Sequence, residues 1–72
     1  MTAAEPPVLR LGRDIVRQFE HLPHDAAVEQ VATHLARFWD PRMRAELDAL
    51  VRRGDPDVDP LLAAAAARLT GQ

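Results

Sequence analysis

Three histidines, eleven carboxylates and nine basic residues are the groups in this 72-residue sequence that could do chemistry. His21 and His24 flank Pro23 and could offer two imidazoles to a metal. No third ligand stands in a recognised spacing, and two solvated loop residues are the simpler account. His34 falls at the edge of an apolar helical arc beside Phe38. Packing on that ring explains it better than catalysis, because no nucleophile or oriented carboxylate accompanies it. The carboxylates are scattered over outward faces and helix starts, with no sign of an acid and base held together in a pocket. Glycine-rich phosphate loops, Cys/His metal spacings, Gly-x-Ser-x-Gly and the dinucleotide fingerprint are all missing from the sequence. A chain this short also leaves little room for a cleft of ~300 Å³. The expectation is a chain with no catalytic, cofactor-binding or metal-ligating residue of its own, and so not an enzyme. The basic residues are all arginine, and lysine, asparagine and tyrosine are absent. A GC-rich genome accounts for that bias, while the sharper reading is bidentate pairing at an interface.

The elements that would position these groups can be read from composition and periodicity. A chain of this size buries roughly 60% of its unfolded surface, so its stability alone is marginal. Such chains usually lean on disulfides, a metal or a partner. There is no cysteine, which removes disulfides and fits a reducing cytoplasm. Hydrophobic residues make up 47% and charged residues 28%, values that argue for a globule against disorder. The net charge of −2 is a poor start for neutralising phosphates. No apolar run approaches the ~20 residues of a membrane span. Met1 to Pro7 lacks the cationic start and apolar core of a signal peptide.

The periodicity predicts an all-α bundle of four short helices over residues 8–22, 25–39, 41–53 and 60–69, with 1–7 as a flexible tail and 8–70 as a single domain. Helix one would bury Val8, Leu11, Ile15, Phe19 and Leu22, with Gly12 beside that stripe, at a cost of roughly 1 kcal/mol against alanine. Gly12 there implies either a weak stretch of helix or a close approach by another backbone. Arg10 and Asp14 could pair weakly. Pro23 would end this helix, and Asp25 would cap the next. Helix two places Val28, Val31, Ala32, Leu35, Phe38 and Trp39 on an arc of roughly 120°. Asp40 then serves as N-cap and Pro41 as first helical residue of helix three, whose narrow stripe is Met43, Leu47, Leu50 and Val51. Asp48 and Arg52 have a favourable i,i+4 order, Arg52 and Arg53 suit the last turn, and Gly54 suits C′. Asp59-Pro60 repeats the cap, opening a helix with Leu62, Ala65, Ala66 and Leu69 on one face and Gly71 as its stop. The opposite face, Ala63, Ala64 and Ala67, is also apolar. Either alanine is there as the best helix former, or it is a smooth surface for a partner.

The string from Val31 to Leu69 resembles the delta subunit family of soluble, NAD-dependent, molybdenum-containing formate dehydrogenases. The match is carried by His34-Leu35-Ala36-Arg37-Phe38-Trp39-Asp40-Pro41-Arg42-Met43-Arg44, then Leu47, Leu50-Val51 and Asp59-Pro60-Leu61-Leu62. The first helix fits more loosely and departs from the family pattern at Leu11, Gly12, Arg13 and Asp14. The resemblance implies an accessory subunit in the cytoplasm. Its partners would be the catalytic (alpha) subunit, holding molybdopterin guanine dinucleotide and iron–sulfur clusters, and the flavin/iron–sulfur subunits holding FMN. It would support assembly or stability of that complex, with neither nucleic acid nor membrane as partner. The expected interface residues are Phe38, Trp39, Arg42 and Arg44, together with Ala63, Ala64 and Ala67. Trp39 has a sufficient structural reason in the core. Arg42 and Arg44 do not, since a helix start gains nothing from two cations near its positive pole. The alternatives are a small helical nucleic-acid-binding or regulatory module, whose turn at Pro41 is shorter than a helix-turn-helix wants, and a homo-oligomer burying its alanine face.

Overall fold

The computed structural model describes residues 6–70, and within them the chain is all-α: α1 Pro7–Phe19, α2 His24–Phe38, α3 Pro41–Arg52 and α4 Pro60–Leu69. Most of the expected tail at 1–7, and the expected stop at Gly71, lie outside the described residues. Three of the four helices carry proline in the first turn. The missing N–H of proline is no loss there, and its fixed φ suits a helix start.

The cores of the four helices meet through one or two large side chains each. Leu9 of α1, Val31 and Leu35 of α2, Leu47 of α3 and Leu62 of α4 are all essentially inaccessible to solvent. Each such burial contributes on the order of 1.5–3 kcal/mol. α4 packs most extensively on α2. Ala32 on α2 and Ala65 and Ala66 on α4 are buried there, and small side chains at a helix contact let the axes approach. α1 rests against the other three helices, whereas α2 and α3, neighbours in sequence, touch least. The two-residue link at Trp39-Asp40 therefore turns a corner instead of folding an antiparallel hairpin.

The structure corrects the expected face of α1. Val8 and Ile15 are buried as expected, but the stripe is completed by Leu9, Gly12 and Val16, while Leu11 is 43% exposed. Phe19 is partly buried and ends the helix, so Leu22 lies in the turn beyond it. Gly12 sits in the stripe rather than beside it, and a Cβ there would collide with Leu62 Cδ2. The close approach comes from a side chain, not a backbone: the gap left by glycine receives the leucine of α4. On α2 the helix starts one residue earlier than expected, with Pro23 in the cap position and Asp25 in the first turn, so Asp25 is not the N-cap. Phe38 leaves the expected buried arc and is 70% exposed.

α3 ends on a Schellman motif. Gly54 takes φ +69°, its N–H donates to the Val51 carbonyl at 3.0 Å, and the Asp55 N–H donates to the Leu50 carbonyl at 3.1 Å. Positive φ is the reason glycine stands there. The side chain of Arg52 donates to the backbone carbonyl of Asp48 at 3.4 Å, so the expected i,i+4 contact is made to the main chain. Among the described residues no helix is long and apolar enough to cross a membrane.

Candidate docking surface

The expected interface residues fall into two groups. The first surrounds the α2–α3 corner. Trp39 is the C-cap of α2, with extended backbone at φ −91° and ψ 134°, and donates its N–H to the Leu35 carbonyl at 3.1 Å. Its indole is in the core at 7% exposure. Asp40 continues extended and accepts from the Met43 N–H at 2.8 Å through Oδ1, while its carbonyl accepts from the Arg44 N–H at 3.1 Å. The corner is thus fixed by a buried aromatic on one side and a capped helix on the other.

The groups that project around this corner differ from those that hold it. The Phe38 ring lies on His34, with centroids 4.7 Å apart and planes inclined by 45°, which is the aromatic packing expected for that histidine. Arg37 and Arg42 are exposed and Arg44 is half-buried. Among the described residues none of these three guanidiniums has a hydrogen-bond or ion-pair partner. Of the other arginines, Arg53 pairs with Asp55 at 3.6 Å and Arg68 with Glu29 at 3.6 Å, while Arg10 and Arg17, both exposed, are likewise without a partner among the described residues. Both pairs are solvent-exposed enough to contribute at most about 1 kcal/mol.

The second group is the alanine face of α4. Ala63, Ala64 and Ala67 are all half-buried, and Ala64 packs against the core. Ala67 lines an open groove of about 500 Å³ between α3 and α4, beside Val51 and Arg52. Those residues end α3, whereas Arg42 and Arg44 begin it, ~15 Å away at a rise of ~1.5 Å per residue. The structure therefore does not merge the two groups into one patch around this groove. A second open groove, of about 420 Å³, lies between α2 and α4, with Ala32, Ala36 and Leu69 along it and Arg37 and Arg68 at its sides. Both depressions exceed the space expected from chain length. The periodicity does not single out the second groove; the Ala32 and Ala36 spacing on α2, facing a helix of alanines, is the signal that could have found it.

Among the described residues no group of three or more His, Cys, Asp or Glu side chains is placed to hold a metal ion. His21 and His24 are exposed, His24 as the first residue of α2.

These features define a small all-α protein that displays Phe38 and three guanidiniums without partners, among the described residues, around a capped corner. The profile of the NADH-dependent formate dehydrogenase delta subunit family, FdsD, matches residues 8–66, and the chain belongs to that family. No curated protein and no solved structure matches the chain. The resemblance carried by Val31 to Leu69 is thus upheld at the level of the family, and the match extends back through α1.

Proposed function

We propose that this chain is a non-catalytic accessory subunit. It docks on the catalytic subunit of an NAD-dependent formate dehydrogenase and supports assembly or stability of the complex. The observation that carries the reading is the family match over residues 8–66, which takes in all but the first and the last three residues of the helical part. Donor chemistry agrees: the sequence offers no cysteine thiolate to ligate an iron–sulfur cluster. Molybdopterin guanine dinucleotide, iron–sulfur clusters and FMN would reside in the partner subunits. The chain would act in the cytoplasm, where such a complex meets its soluble nicotinamide substrate. The interface would draw on Phe38, Arg42 and Arg44, with Trp39 holding their geometry from the core; Ala63, Ala64 and Ala67 would offer a second, smoother contact.

The test is to purify the formate dehydrogenase complex from cells with and without this chain. Without it, the expected outcome is a lower yield of assembled complex or lower specific activity, restored by supplying the chain in trans. Full activity and an unchanged assembly mass apart from this subunit would defeat the proposal.

A further inference from the structure

We infer that the α2–α3 corner is a single anchor, and that its counterpart is an apolar pocket rimmed by carboxylates on the partner protein. Phe38 enters the pocket, and the guanidiniums of Arg37, Arg42 and Arg44 meet the rim. This rests on the proposed docking function and names the chemistry of the surface that receives it.

Phe38 is the most exposed large hydrophobic side chain among the described residues, at 70%, and yet it is not loose. The His34 ring supports it from below, so part of the conformational freedom that docking would remove is already lost. Aromatic and arginine side chains that fill a desolvated pocket are the usual dominant contributors at protein interfaces. Charge sets the rim. From Arg37 to Arg44 three guanidiniums stand against the single carboxylate of Asp40, so this stretch is +2 within a chain of −2. The Asp40 carboxylate is itself occupied in capping α3. Arg42 and Arg44 also lie in the first turn of a helix, where the macrodipole already favours anions. Arg42 and Arg44, two of these three cations without partners, therefore stand where the fold itself gains least from them, while Arg37 suits the last turn of α2. Carboxylates on a partner would answer both the guanidiniums and the helix pole. Phe38 and Arg42 are four residues apart, hence at most ~14 Å between Cα atoms, within one pocket and its rim. A second copy of this chain fits poorly as the occupant, because it would bring a second +2 corner against the first.

The experiment measures binding of the full chain to the formate dehydrogenase complex assembled without it, by biolayer interferometry. The proteins are wild type, Phe38→Ala, Arg42→Glu and, as control, Leu11→Ala, which trims the other exposed apolar side chain. Circular dichroism of each variant checks that helicity is retained. The expected results are a loss of about 30-fold or more for Phe38→Ala and about 10-fold for Arg42→Glu, the latter mainly in on-rate. Leu11→Ala should change affinity by less than about 3-fold. Wild-type on-rate should fall as NaCl is raised from about 0.01 M to about 1 M, where the Debye length shrinks from ~30 Å to ~3 Å. Failure of the wild-type chain to bind would defeat the docking function and this inference with it. Wild-type binding that survives Phe38→Ala and Arg42→Glu with helicity intact would overturn the inference alone and leave the function standing. Salt-sensitive binding of duplex DNA, lost in Arg42→Glu, would overturn it in favour of a nucleic-acid surface.

Discussion

Two corners of this molecule begin with the same dipeptide. At Asp40-Pro41 and at Asp59-Pro60 an aspartate Oδ1 accepts a backbone N–H of the new helix at 2.8 Å, from Met43 in one case and Leu61 in the other. In both, the aspartate carbonyl then accepts the first helical bond. Beyond the cap the two diverge. The second corner is reached through a turn stitched by its own groups: Asp57 N–H to Asp55 Oδ1 at 2.9 Å, the Arg53–Asp55 pair, and the glycine-terminated end of α3. Just past that cap, Leu61 and Leu62 turn toward the core. The first corner has no such stitching; it leans on Trp39 and displays Phe38 and three arginines without partners. Since the second corner starts a helix without an exposed aromatic or idle cations, local structure does not require them at the first. The comparison separates what a helix start needs from what it does not.

The largest expected effect tests the side chain on which the first corner leans. Trp39→Ala should destabilise the isolated chain by about 3–5 kcal/mol, as for other buried aromatics, read by urea unfolding in circular dichroism. Phe38→Ala should stay within about 0.5 kcal/mol, as for exposed sites. If Trp39→Ala unfolds like wild type and only docking suffers, the indole belongs to the interface and the first corner does not rest on it. Next come the caps. Asp40→Ala and Asp59→Ala should each cost about 1 kcal/mol, a fall of roughly 4–8 °C in Tm for a chain of this size. Equal losses support the shared cap chemistry; a loss at only one would separate the corners at their first step. Gly54→Ala should cost about 1 kcal/mol or more through φ alone, because no atom stands within 4 Å of the added Cβ. Smallest is Arg53→Ala, below about 1 kcal/mol and fading with added salt, since that guanidinium side chain is 68% exposed.

The corners are readable from sequence because caps are local: Asp40, Pro41, Gly54, Asp59 and Pro60 act on groups within a turn of themselves. The face of α1 is not, because its outcome is decided by a residue fifty positions away. Leu11 and Leu9 are equally apolar, and periodicity alone admits either stripe. The choice falls on Leu9 and Val16 because Gly12 must face Leu62. Phe38 escapes the periodicity for a related reason. Phe38 shares the helical face of Val31 and Leu35 but ends α2, and beyond it the chain turns so that the Trp39 indole, not the Phe38 ring, closes over the core. In the candidate interface, residue identities are legible but their engagement is not. Arg42 has Glu46 four residues on, a spacing that permits a pair, yet makes none among the described residues, while Arg53 finds Asp55 across a turn.

The glycine gap in α1 has a consequence for the order in which the molecule can form. Its filling by Leu62 joins the first helix to the last, closing a loop of fifty residues. Loop closure of that span is entropically unfavourable until other contacts share the burden. Synthesis delivers α1, α2 and α3 before α4, so the earlier helices wait with an unfilled notch and an unfinished core. The last helix acts as the latch. The core that receives the Trp39 indole is therefore completed only when Leu62 arrives.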